Sequence, residues 1–145
     1  MDTDHFILFG TFLVGAAPLV WQDARTLSVS PVWLWLVLGG WVAASFLLSE
    51  EWTIRGAVAT SVVALGGCGL LVRPQAMGEA DVIFLSGLAW LLPFWAFLFS
   101  VGLACILGLA TYWVAARGAG SDGGLAVPFL PCLALGGMGV MGGMT

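Results

Sequence analysis

Long stretches without charge alternate with short polar connections along this chain. Apolar stretches run from about 6 to 21, 32 to 48, 54 to 72 and 125 to 144, and one uncharged stretch runs from 82 to 116. As a single helix, that longest stretch would measure roughly 52 Å against a bilayer core of ~30 Å. We therefore divide it near Phe94 to Phe97, just past Pro93, into two short spans. Continuous apolar runs of this length predict helices and not the alternating strands of a membrane barrel.

Composition places the chain in the membrane. Hydrophobic residues make up 61% and charged residues 8% of its 145 residues, whereas a soluble domain carries about 25% charged residues. The sequence therefore predicts an all-α, polytopic membrane protein, a single domain over residues 1–145 with about six transmembrane helices in a lipid bilayer. Glycine clusters at 66–69 and 136–139 predict close helix packing. The net charge of −4 is small and spread out, so nucleic acid is not an expected partner.

The arginines predict the orientation. With six spans, three of them fall in connections on one side: Arg25, Arg73 and Arg117. Arg55 falls on the other side, in an outer loop with Glu50 and Glu51, and we expect these two acids to be solvated. Basic residues concentrate on the cytoplasmic side of membrane proteins. We therefore expect a multi-pass protein of the cytoplasmic membrane with its N-terminus outside.

The acids of the predicted cytoplasmic connections are the candidate chemistry. Asp23 closes the first span and Asp81 opens the fourth, and Glu79 and Asp122 lie on the same face. Two adjacent carboxylates share a proton, so one can activate water while the other polarises a carbonyl. Simpler roles stay open, since Asp23 can pair with Arg25 and Asp81 can cap its helix.

Other chemistries have less support. The only histidine, His5, lies at the outer end, away from these acids, which disfavours serine and cysteine nucleophiles. The cysteines occur singly within apolar runs, without the spacing of a zinc site or a disulfide framework. We predict neither a metal nor a cofactor. A transporter is a further alternative, but no acid lies mid-span and the two halves show no clear similarity.

Three segments at these connections carry a family resemblance. They are Asp23-Ala24-Arg25-Thr26 followed by Val29-Ser30-Pro31, then Met-Gly-Glu-Ala-Asp-Val at 77–82, then Val-Pro-Phe-Leu-Pro-Cys-Leu-Ala-Leu-Gly at 127–136. In order and spacing they resemble the type IV prepilin peptidases, which are membrane aspartyl proteases. The first is similar to that family's Asp-x-Arg turn, the second to its GxGD motif, and the third to its Pro-Phe-Gly-Pro-x-Leu-Ala-x-Gly segment. With six spans, the resemblance covers nearly the whole chain.

The resemblance implies an activity and its residues. Asp23 and Asp81 correspond to the catalytic aspartates. The family cleaves the short basic leader of prepilins and pseudopilins on the cytoplasmic side, typically after a glycine, without a cofactor. A prepilin or pseudopilin leader is therefore the expected partner, and the acidic face is expected to attract it. Candidate substrate-binding residues are Arg25, Gly78, Glu79, Ala80, Asp122, Pro128, Phe129 and Pro131.

The chain also departs from the family pattern. Ala80 replaces the second glycine of the motif, and a left-handed backbone there would tolerate alanine poorly. Val82 and Ile83 follow where many relatives carry a lysine, and Leu130 replaces a glycine. The extra N-terminal domain of relatives that also methylate their product is not recognisable, so we expect a peptidase-only form. The alternative is a catalytically inactive relative that acts as a membrane assembly factor for a pilus or secretion system.

Overall fold

The computed structural model describes residues 3–48, 52–72, 78–118 and 128–144. Their regular secondary structure is entirely helical, which confirms the predicted all-α class. Six helices occur in this part of the chain: α1 Thr3–Thr26, α2 Pro31–Leu48, α3 Trp52–Val72, α4 Glu79–Leu91, α5 Phe94–Gly118 and α6 Leu130–Met144.

Four of the helices are long and apolar enough to cross a membrane, judged by length and composition over the described residues: α1, α2, α3 and α5. The other two are shorter, with 13 residues in α4 and 15 in α6. At 1.5 Å per residue they reach only about 20 Å and about 22 Å, less than a ~30 Å bilayer core. The chain is thus an all-α membrane bundle in which two short helices pack among longer ones.

The helix break inside the long uncharged stretch lies earlier than predicted. Leu92 adopts an extended backbone with φ −103° and ψ 144°, and α5 begins directly after Pro93. Proline lacks an N–H and disfavours a helical conformation of the preceding residue, so α4 ends before Pro93. The expected division near Phe94 to Phe97 was therefore a few residues late. The expectation of two short spans was wrong for α5, which has 25 residues.

The start of the last helix also differs from the prediction. The apolar stretch was expected to begin at residue 125, but residues 128 and 129 are not helical and α6 begins at Leu130. Pro131 lies in the first turn, where a missing N–H breaks no hydrogen bond. The proline-rich segment therefore sets the N-terminus of α6.

Arg55 is the clearest error of the sequence-based prediction. It lies in the first turn of α3 and not in a loop, and it is 7% exposed. Its Nη1 donates to the carbonyl oxygens of Leu91 at 3.0 Å and Trp90 at 3.4 Å, and Ser45 Oγ donates to the Trp90 oxygen at 2.7 Å. Because Pro93 ends α4, these last carbonyls have no partner within the helix. Arg55 and Ser45 supply the missing donors. Glu50 and Glu51 lie outside the described residues.

We expect Arg55→Leu to destabilise the fold by about 2–3 kcal/mol, because it leaves buried carbonyls of α4 without a charged donor. The thermal unfolding midpoint of the purified protein in detergent measures this loss. Arg117→Leu is the matched control, since Arg117 is exposed at the end of α5, and a surface change costs within about 0.5 kcal/mol. Equal midpoints for the two variants would show that Arg55 does not hold α4.

The glycine clusters only partly behave as predicted. A Cβ on Gly66 would lie 2.6 Å from the Val82 side chain, and one on Gly136 would collide with the Ser100 carbonyl oxygen. These positions therefore bring α3 against α4 and α5 against α6. Gly67 and Gly69 meet nothing within 4 Å, so close packing was the wrong expectation there.

Candidate active site

Helices α1, α4 and α6 cross at Gly137. A Cβ on this glycine would lie 2.9 Å from the Phe12 ring of α1 and 3.2 Å from the Leu88 side chain of α4. From this crossing the three helices run toward the same end of the bundle. There α1 ends just after Asp23, α4 begins just before Asp81, and α6 begins at Leu130.

Asp23 continues the buried stripe of α1. The buried residues of this helix follow a three- or four-residue spacing: Leu8, Phe12, Ala16 and Leu19. Asp23 is the next position of that series, so its side chain faces the bundle interior. The backbone N–H of Leu130, at the start of α6, is a hydrogen-bond donor to its carboxylate. Its Oδ2 is buried and has no hydrogen-bond partner among the described residues.

Asp81 lies in the first turn of α4, whose N-cap is Gly78. The Gly78 N–H donates to Asp81 Oδ2 at 3.3 Å. Burial raises the pKa of Asp81 from its usual 3.8 to about 6. The Gly78 hydrogen bond lowers the pKa, and the negative charge of Asp23 raises it. The carboxylate of Asp23 is therefore close enough for its charge to act on the ionisation of Asp81.

No described cation neutralises the pair. The simpler hypothesis held that Arg25 pairs with Asp23. Instead, the Arg25 guanidinium stacks 4.1 Å over the ring of Trp21. Arg117 stacks over Trp113 in the same way, and Arg55 lies at the opposite end of α4. The second simple role is present, since Asp81 does cap α4. A cap explains the position of Asp81 but not the neighbouring buried carboxylate of Asp23.

The carboxylates lie below the ends of two longer helices. Val82 packs at the level of Gly66, and α3 runs about 9 Å further, to Val72. Thr111 of α5 lies 4.0 Å from Cys132 of α6, and α5 continues about 10 Å beyond it. The ends of α3 and α5 therefore extend past the level of the aspartates.

The structure brings some of the predicted site residues together and separates others. Asp81 and the start of α6 lie near Asp23, and Gly78 contacts Asp81. Glu79 is exposed on the first turn of α4. Arg25 lies on another face of α1, so its role in substrate binding stays a prediction. Asp122 lies outside the described residues.

Ala80 and Leu130, two of the departures from the family pattern, have ordinary backbones. Ala80 occupies the first turn of α4, and among the described non-glycine residues only Leu27 has a positive φ. The expected strain at Ala80 is therefore absent, because alanine favours a helix. Leu130 is 1% exposed and packs in the core while its backbone N–H faces Asp23. The amide, and not the side chain, makes the contact.

Sequence reasoning missed two contributors to this end of the bundle. Besides the Leu130 amide, Gln22 braces the α1–α2 turn, because its Oε1 accepts from the Ser30 N–H at 3.0 Å. Ser30 precedes α2, so this bond holds the turn that follows Asp23. A polar side chain beside a predicted helix end was the only available signal for Gln22.

We expect the fold to lose stability as the pH rises. The pKa of Asp81 is higher in the folded protein than its ordinary value, so its stabilising protonation is complete below about pH 4 and lost through about pH 6. After allowance for solvent at this half-buried site, the loss is on the order of 1 kcal/mol. Unfolding midpoints between about pH 4 and about pH 8 measure it. Asp81→Asn should flatten the profile, and an unchanged profile in that variant would contradict the assignment.

Comparisons with known proteins add no information about the site. A scan against family models and searches of curated proteins and of solved structures each gave no match to the chain. Fold and site together define the class: an all-α membrane protein with two acids near each other where three helices end.

Proposed function

We propose that the chain is an intramembrane aspartyl endopeptidase that cleaves the basic leader of prepilin-like or pseudopilin-like proteins. One observation carries the proposal: where three helices end, the negative charge of Asp23 raises the pKa of Asp81, and no described cation neutralises the two acids. Burying two carboxylates together is costly unless they share a proton. That state is what acid–base hydrolysis requires.

The reaction needs only the two side chains and a water molecule. One ionised carboxylate takes a proton from water as the water oxygen bonds to the scissile carbonyl carbon. The protonated partner donates to the carbonyl oxygen. The C–N bond then breaks: one hydroxyl of the tetrahedral intermediate returns its proton to the ionised carboxylate as the acid forms, and the leaving amine takes a proton from the other carboxyl group. Water and peptide are consumed, acid and amine are formed, and the pair returns to its starting protonation.

The position of the two acids at helix ends supports a peptide presented from one membrane face. α3 and α5 extend past the level of the acids, and the exposed Glu79 adds negative charge on the first turn of α4. A lysine-rich leader is attracted to such a face. We place this face in the cytoplasm and the protein in the cytoplasmic membrane, because Arg25 and Arg117 end α1 and α5 there.

The test uses the purified full chain in detergent or lipid with synthetic peptides. Each peptide joins a lysine-rich leader ending in glycine to an apolar segment, and mass spectrometry identifies the cut. We expect a single cut after the glycine, with none from an Asp23→Asn/Asp81→Asn double variant prepared in the same way. An inert but folded wild type on several leaders would overturn the peptidase and favour an assembly factor.

A further inference from the structure

A second polar feature lies on the other side of α1. A cleft of about 310 Å³ opens between the last two turns of α1 and the start of α2. Its lining side chains are Pro18, Trp21, Gln22, Arg25, Thr26 and Trp33. Helical residues two positions apart point about 200° apart, so Arg25 faces away from Asp23. The cleft is therefore separate from the two acids of the candidate active site.

The cleft offers hydrogen-bond donors and one positive charge. The Arg25 guanidinium has no hydrogen bond or ion pair with any described residue, only its stack on Trp21. Gln22 Oε1 is occupied by the Ser30 N–H, so its amide NH₂ is the part left to bind a ligand. The Thr26 hydroxyl already donates within its own turn. No acidic side chain contributes to the lining. Such a set of groups suits a phosphate.

The cleft lies where a membrane protein meets lipid headgroups. The span 6–26 ends at it and the span Pro31–Leu48 begins at it. Trp21 and Trp33 are 62% and 56% exposed, as expected for tryptophans in the headgroup region. Val32 and Leu36 continue an exposed apolar surface down α2. A phosphate held in the cleft therefore has apolar protein surface beside it for acyl chains.

We propose that this cleft binds the phosphate of an anionic phospholipid, held by Arg25 and the Gln22 amide between Trp21 and Trp33. A zwitterionic lipid fits less well, because its ammonium group finds no carboxylate in the lining. The site does not depend on the proposed peptidase activity. Asp81→Asn is therefore expected to leave lipid binding unchanged, and the two proposals can fail separately.

Native mass spectrometry of the purified full chain tests the site. The protein is titrated with an equimolar mixture of phosphatidylglycerol and phosphatidylcholine, and the bound ratio is compared among variants. One basic group near anionic lipid contributes about fivefold in affinity. We therefore expect Arg25→Gln to lower the preference for phosphatidylglycerol about fivefold. Arg117→Gln is the matched control, because Arg117 makes the same stack on Trp113 but does not line the cleft.

A second variant, folding checks and a competition with inorganic phosphate complete the test of the lipid site. Trp33→Leu changes the cleft from the α2 side and is expected to weaken phosphatidylglycerol binding without removing charge. Helical circular dichroism and elution volume check that each variant is folded. Equal losses for Arg25→Gln and Arg117→Gln would overturn the proposal in favour of general surface charge. Displacement of the lipid by inorganic phosphate at about 10 mM would also overturn it, since the occupant would then be a soluble anion.

Discussion

Single substitutions Asp23→Asn and Asp81→Asn are each expected to lower kcat for leader cleavage by about a thousandfold or more. Asparagine keeps the size of the side chain but can neither take a proton from water nor return one to the leaving amine. Because the pair acts as a unit, the double variant should lose little more than either single one. Initial rates with the leader peptide measure these losses.

The unfolding midpoint distinguishes a variant that has lost only its catalytic group from one that has lost its folded structure. Burial and the charge of Asp23 raise the pKa of Asp81, so the ionised pair is unfavourable in the folded protein. Asp81→Asn is therefore expected to keep or raise the unfolding midpoint at about pH 7 while activity is lost. A lowered midpoint together with lost activity would instead mark Asp81 as a structural cap.

Asp4→Asn is the matched control for the acid pair. It makes the same chemical change on the same helix, about 28 Å along α1 from Asp23. We expect wild-type kcat and KM from it. A comparable loss in this variant would show that the assay responds to any change of charge on α1 and not to the pair.

Gly136→Ala is expected to destabilise the protein by about 2–3 kcal/mol and to reduce cleavage with it. The added Cβ would collide with the carbonyl oxygen of Ser100, a backbone atom of α5, and would lie 3.3 Å from the Ala104 nitrogen. Backbone in a helix cannot move aside as a flexible side chain does. The two helices must therefore separate, which shifts the start of α6 away from Asp23.

Gly102→Ala is the control for this packing effect. Gly102 lies on α5 and a Cβ there meets nothing within 4 Å. Alanine favours a helix over glycine by about 1 kcal/mol, so this variant should keep or gain stability. Unfolding midpoints and leader cleavage are measured for both variants. If Gly136→Ala is as stable as Gly102→Ala, the close approach of α5 and α6 does not position the site.

The proline segment shows how far local sequence could predict the site. Pro128 and Pro131 mark the start of the last helix, and the family resemblance drew attention to them. That the Leu130 amide is the group facing Asp23 could not be predicted, because it depends on how α6 packs on α1. Phe129, also expected at the site, reaches toward α5, where a Cβ on Gly108 would lie 3.0 Å from its ring.

Arg55 shows that local sequence also fails to predict the environment of a charged residue. Near two acids at a span end, an arginine is normally solvated, and only the position of Pro93 just after a neighbouring helix creates carbonyls that need a donor. That need arises between residues 35 and 36 positions apart in the chain. Hydropathy and charge counts treat each segment separately and cannot detect such a pairing.

By itself, the sequence determined the all-α membrane class and singled out the two aspartates as candidates, because hydropathy, proline and rare charges act locally along the chain. The tertiary structure alone decided that Asp23 and Asp81 influence each other, that Arg25 turns away from them, and that α3 and α5 extend past them. These features depend on which faces of the helices meet, and that is set by packing at residues such as Gly137. Packing between distant segments leaves no periodic signal in one sequence.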